Sequence, residues 1–103
     1  MFFFADLLFF LIIFENSIIE FFIVSNLYKD NRTLITHLKK GDEQAYAYLV
    51  ETYNRPIFVY VLSLTNDHDQ SKDIVQNIFF KVWVSRKKLN PNYSIKSFLY
   101  KAS

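Results

Sequence analysis

Apolar residues recur along much of this chain at three- and four-residue spacing, the period of one helix face. Over residues 43–65 the positions Ala45, Leu49, Tyr53, Ile57, Val61 and Leu64 keep that spacing, and Tyr46, Val50, Phe58 and Leu62 widen the stripe. The pattern predicts one long helix. Pro56 falls inside it, which predicts a kink, because proline removes a backbone bond and crowds the preceding turn. A shorter stripe of Leu34, Ile35 and Leu38 predicts a helix over 33–40. Gly41 ends it, as glycine does just past a helix, and Asp42 caps the next one with Glu43 adding favourable charge to the first turn. The run Thr65-Asn66-Asp67-His68 reads as a turn, with Asp67 or Asp69 capping the next helix.

The third predicted helix covers about 70–86. Its apolar set is Ile74, Val75, Ile78, Phe79, Val82 and Trp83, which occupies roughly half the circumference at 100° per residue. The opposite face carries Asp73, Gln76, Asn77, Phe80 and Val84. An apolar pair one turn apart inside a polar rim is how a partner-binding face reads. The alternative is that another helix of the chain covers it. Residues 87–93 form a loop interrupted by Pro91, in which Asn90, Asn92 and Tyr93 supply polar and aromatic groups of base size. Ser94 reads as the cap of a last helix with Ile95, Phe98 and Leu99 inward.

Residues 2–24 have a different pattern. They are apolar nearly throughout and long enough to span a bilayer, but Glu15, Asn16, Ser17 and Glu20 interrupt them. A central carboxylate costs about 3 kcal/mol on insertion scales, against about −0.3 to −0.6 for each Leu, Ile or Phe, so insertion is marginal. No basic residue precedes the apolar core, which argues against a signal peptide. Three readings compete: a weak membrane anchor with Lys29, Arg32, Lys39 and Lys40 on the cytoplasmic side, a helix docking on a partner, or a start codon assigned too far upstream in AT-rich DNA. The last is preferred, because the segment has little in common with the rest of the chain. The polar stretch at 28–32 marks the boundary, giving an apolar segment at 1–28 and one domain at 33–103.

Composition narrows the class. A single glycine and two prolines leave little turn chemistry for an all-β fold, and the absence of cysteine excludes a disulfide scaffold and a thiolate metal site. The expected fold is all-α, a small bundle of three to four helices. Charge is segregated under a net +2. Residues 1–28 carry acids and no Lys or Arg, and residues 41–80 hold six acids against Arg55 and Lys72. Residues 81–103 hold Lys81, Arg86, Lys87, Lys88, Lys96 and Lys101 with no acid. A wholly cationic end is the footprint of a phosphate-backbone binder, or else a solvated face. Catalysis has no foothold. His37 and His68 lie on different elements without carboxylate framing, one glycine cannot build a phosphate-binding loop, and the carboxylates cluster at helix starts where capping explains them. No enzyme, no cofactor and no metal are expected.

Four stretches, taken in order, resemble a known family. Leu38-Lys39-Lys40-Gly41-Asp42-Glu43-Gln44-Ala45-Tyr46 is similar to a basic-Gly-Asp-x-x-Ala-aromatic opening. Tyr53-Asn54-Arg55-Pro56-Ile57-Phe58 is similar to a mid-helix Tyr-x-x-Pro-aliphatic-aromatic pattern. Residues 73–83, DIVQNIFFKVW, resemble Asp-aliphatic-Val-Gln-x-aliphatic-Phe-x-x-x-Trp, and Ser97-Phe98-Leu99-Tyr100-Lys101-Ala102 looks like the start of a promoter-recognition helix. Together they resemble region 2 of the sigma-70 family, in its extracytoplasmic-function (ECF) subgroup. The resemblance implies a cytoplasmic transcription-initiation module. It implies that Asp73, Gln76, Asn77, Phe80 and Val84 meet the clamp helices of the RNA polymerase β′ subunit. It implies that the −10 promoter element is held as a single strand, with a flipped base in the loop after the third helix. The DNA-binding set is then Lys81, Arg86, Lys87, Lys88, Asn90, Asn92, Tyr93, Lys96 and Lys101. An anti-sigma factor is a further implied partner. Asn77 stands where the family usually has an acid, which removes one charge-assisted contact to the clamp. The chain stops before the basic second half of the recognition helix and the domain that reads the −35 element, and so reads as a truncated form.

Overall fold

The computed structural model describes residue 19 and residues 22–102. A helical stretch at 22–28 leads into α1 (Asn31–Lys39), α2 (Glu43–Thr65) and α3 (His68–Val84); a 3₁₀ turn (Arg86–Lys88) comes next, then α4 (Ile95–Ala102). The fold is all-α, with no strand among the described residues. Most of the apolar stretch at 2–24 lies outside them. Among the described residues no helix is long and apolar enough to cross a membrane.

The starts of α1 to α4 are each set by a short polar side chain. Asp30 accepts from the backbone N–H of Thr33 at 3.0 Å and from its hydroxyl at 2.7 Å, so α1 begins two residues earlier than the apolar spacing alone indicates. Asp42 accepts from Gln44 N–H at 2.9 Å, Asp67 accepts from Gln70 N–H at 3.0 Å, and Ser94 Oγ accepts from Ser97 N–H at 3.3 Å. These bonds satisfy donors that the helix itself leaves open. Gly41 takes a left-handed φ of 81° between α1 and α2, and Asn66 takes φ 56° between α2 and α3. Glycine and asparagine are the residues that adopt this region at little cost. Pro56 sits within α2, which runs unbroken past it. Both Pro56 and Thr52, whose carbonyl loses its donor, are exposed, so water can take the vacant acceptor.

The two-residue turn at Asn66-Asp67 returns α3 along α2, and these two helices make the most extensive helix contact among the described residues. Ala45, Leu49, Ile57 and Val61 of α2 face Val75, Ile78, Phe79 and Val82 of α3 within one buried core. Ser71 is fully buried where the helices meet, with its hydroxyl 2.6 Å from that of Thr65. Leu34, Ile35 and Leu38 of α1, Leu89 of the loop, and Ile95 and Leu99 of α4 close the core.

Tyr28, the last residue of the segment set apart by composition, is buried in that core. Its hydroxyl donates to Asp42 Oδ2 at 2.7 Å, and His37 Nδ1 lies 3.1 Å from the same oxygen. Its ring packs against His37 edge-on and against Tyr48. Burial, reinforced by Asp42, pushes the Tyr28 hydroxyl up to about 12. The hydrogen bond from Tyr28, with smaller help from Gln44 and His37, holds the Asp42 carboxyl below the ordinary aspartate range.

A depressed carboxyl contributes stability above its unfolded pKa and loses it as pH falls through the folded value. Unfolding by urea should therefore become easier below the ordinary aspartate range. Asp42→Ala should cost about 1–2 kcal/mol at neutral pH, the upper range for a lost N-cap. Asp42→Asn should retain most of the cap while flattening the acid dependence. The raised Tyr28 hydroxyl has the opposite sign: its contribution is complete below about 10 and is lost as pH rises towards about 12.

Candidate functional site

Capping by Asp67 fixes where α3 starts and so sets which residues point in. Ser71, Val75, Ile78, Phe79 and Val82 are buried, with Ile74 and Trp83 at the flanks. Asp73, Gln76, Asn77, Phe80 and Val84 are all exposed, Phe80 at 64 % and Val84 at 62 %. No helix among the described residues covers that face. Phe79 and Phe80, adjacent in sequence, have opposite surroundings.

Beyond Val84 the backbone tightens, and the predicted helix end at Arg86 becomes a 3₁₀ turn. Arg86 folds back on this end of the helix. Its guanidinium lies 4.4 Å over the Trp83 ring and donates to the Trp83 carbonyl at 2.9 Å. Trp83 in turn packs on Tyr46 at 4.9 Å, and a Cβ on Gly41 would stand 3.7 Å from Arg86 Nε. Arg86 thus joins the end of α3 to the α1–α2 turn and is half-buried, unlike Lys81, Lys87, Lys88, Lys96 and Lys101, which are exposed.

The segment from Leu89 to Ser94 is anchored. Leu89 is buried, Asn90 Oδ1 accepts from Asn92 N–H at 2.9 Å, and the Tyr93 N–H donates to the Asn90 carbonyl at 3.0 Å. A second set of bonds comes from α1. Asn31 Nδ2 donates to the Tyr93 carbonyl at 2.8 Å and lies 3.5 Å from that of Pro91. Asn31 Oδ1 accepts from Ile95 N–H at 2.9 Å, and Arg32 donates to the Asn92 side chain. Beside this loop lies a hollow of about 320 Å³, lined by Ile35, Leu89, Ile95, Tyr93, Phe98 and neighbouring polar groups. Tyr93 is 72 % exposed at its rim and Phe98 37 % exposed. The apolar spacing predicts Phe98 inward with Leu99. Helix α4 instead docks along the Ile95–Leu99 edge, four residues apart, which leaves Phe98 beside the loop. A wider groove of about 510 Å³ runs between α2 and α3, past Phe58, His68, Lys72 and Gln76. Among the described residues no cluster of three or more His, Cys, Asp or Glu could hold a metal ion.

Residues 49–102, from the second turn of α2 to the end of α4, match the family described as Sigma-70 region 2. The chain belongs to the sigma-70 region 2 family. This is a transcription-initiation family that binds the polymerase core and melts promoter DNA, not an enzyme family. No curated protein and no solved structure matches the chain. The sigma-70 region 2 match includes all of α3, the cationic loop and α4, and so spans both surfaces just described. Asn31 and Arg32 fall outside it. Sequence reasoning missed Phe98 as a hollow residue and Asn31 as a loop anchor. It also left Arg86 among the surface cations, although its spacing of three from Trp83 on a helix is a usable signal for stacking.

The two adjacent phenylalanines give a direct test of this geometry. Phe79→Ala should cost about 3–4 kcal/mol of stability, the usual range for a buried aromatic. Phe80→Ala should change it by less than about 0.5 kcal/mol, as for an exposed position. Urea denaturation followed by circular dichroism measures both. Comparable losses at the two sites would mean that α3 is rotated from the orientation described.

Proposed function

We propose that this region 2 domain acts as an ECF-type initiation module, with α3 docking on the β′ clamp helices of RNA polymerase and the following loop holding the −10 element. The observation that carries the reading is the exposure of Phe80 and Val84, one turn apart on a face rimmed by Asp73, Gln76 and Asn77. An apolar anchor inside a polar rim is the composition of an interface centre. An anti-sigma factor that blocks polymerase binding would compete for this same face.

DNA binding is supported by the exposed cations at and beyond the end of α3. Lys81, Lys87, Lys88, Lys96 and Lys101 track a phosphate backbone, and Tyr93 and Phe98 offer faces on which bases stack. The hollow they border is of ligand-pocket size. A base extruded from the strand would enter it beside the Asn90 amide, its unstacking cost offset by contacts there. Arg86 serves this surface indirectly, by fixing the turn that presents Lys87 and Lys88.

Two measurements test the proposal. Phe80→Ala should weaken binding to core polymerase by about 1–2 kcal/mol, as removal of a central anchor does; an unchanged affinity would reject α3 as the docking face. Affinity for single-stranded DNA should fall with salt at about −0.7 per phosphate contacted, hence a log–log slope of roughly −2 to −3.5 for three to five lysines. Replacing Lys87 and Lys88 together by Ala should make it shallower by about 1.4. Arg86→Ala should lower the melting temperature and leave that slope nearly as it was. Absence of binding at low salt would reduce the cationic end to a solvated surface.

A further inference from the structure

The polar atoms of the Asn31 side chain bond outside α1, not within it. Asp30 already supplies the N-cap of α1. The Asn31 amide spends both of its functions on a segment more than sixty residues away: its NH₂ donates to the Tyr93 carbonyl and its oxygen accepts from Ile95 N–H. The neighbouring Arg32 adds a bond to Asn92. These bonds bracket the stretch that carries Asn92, Tyr93 and Ser94, of which Tyr93 and Ser94 line the 320 Å³ hollow. An amide is the side chain suited to this, since it offers a donor and an acceptor together.

We propose that Asn31 is a positioning residue for base recognition, holding the 90–95 loop in the geometry that receives an unstacked base. The inference rests on the reading that this loop binds the promoter strand. Phosphate contacts require only that lysines reach the backbone, and these tolerate a loosened loop. A base pocket requires its walls at fixed spacing, and a loop held in the bound form before binding loses less entropy on complex formation. Removing Asn31 should therefore harm discrimination between sequences more than affinity for single strands in general. The residue lies outside the stretch that matches the family, so the part of this chain leading into the domain completes the reading surface.

The test uses the full chain. Wild type is allowed to select from a random pool of single-stranded DNA decamers, and the enriched decamer and its scramble are then titrated by fluorescence anisotropy. Asn31→Ala should weaken binding to the enriched decamer by about tenfold, equivalent to about 1.4 kcal/mol. Affinity for the scramble and its salt slope should stay unchanged, while the Ile95 amide exchanges its hydrogen faster. Asn31→Asp keeps the acceptor for Ile95 and loses the donor to Tyr93, so its preference should fall between the two; it also serves if the alanine variant fails to fold. Equal losses for both decamers would show a merely structural role and overturn the proposal. So would full retention of the preference once Ile95 exchange has accelerated. If wild type enriches no decamer, the base-binding reading of the loop fails, and the role of Asn31 in it fails too.

Discussion

The chain reverses from α1 into α2 within three residues, and Asp42 is the group on which that reversal depends. One carboxylate caps α2 through Gln44, accepts from the buried Tyr28 hydroxyl and lies within hydrogen-bond distance of His37. Gly41 beside it supplies the left-handed backbone, and the same glycine leaves room for Arg86. The start of α2, the docking of α1 and the turn after α3 therefore meet at one place. A side chain at residue 41 would be strained by the left-handed φ, while its Cβ would rest at ordinary contact distance from the guanidinium.

From this corner the molecule separates two kinds of surface along one helix. The outward face of α3 combines an apolar pair with acids and amides, and the charged residues beyond it are cationic without exception. Like charges on the lysines would repel one another, so their clustering needs a scaffold that holds the backbone in place. Leu89 in the core, Arg86 on Trp83 and Asn31 across the loop supply it. The polar and charged residues that face outward are therefore presented by buried or stacked residues whose own contacts are internal.

The elements themselves are legible in the sequence because capping and helical periodicity are local. Asp42, Asp67 and Ser94 lie beside the helices they start, and the split of α3 into an inner and an outer face follows from residue spacing alone. The boundaries that shifted did so through side-chain contacts that apolar spacing does not carry. Stacking of Arg86 on Trp83, which itself rests on Tyr46, accompanies the end of α3 at Val84. Burial of Tyr28 depends on Asp42, fourteen positions later, and composition around residue 28 carries no trace of it. The anchoring of the loop by Asn31 joins the two ends of the domain, and an asparagine near a helix start reads as a capping residue until its partner is seen. Phe98 escaped for a simpler reason: an eight-residue helix has only one edge to bury, and spacing alone did not choose which.

The opposite surroundings of Phe79 and Phe80 constrain what kinds of sequence change α3 can accept. Neighbouring residues on a helix differ by 100° in direction. A single deletion between Asp67 and Ser71 would turn everything after it by that angle, offering Gln76, Phe79, Phe80 and Trp83 to space now filled by Val75, Ile78, Phe79 and Val82. Phenylalanine in place of Ile78 and tryptophan in place of Val82 are larger than the space they would enter, and Gln76 would bring a polar amide without a partner. Substitution at any one outward position is mild by comparison. The length of α3 from its cap is thus held more tightly than the identity of its exposed residues, so the outward face can drift in chemistry while its rotational phase stays fixed.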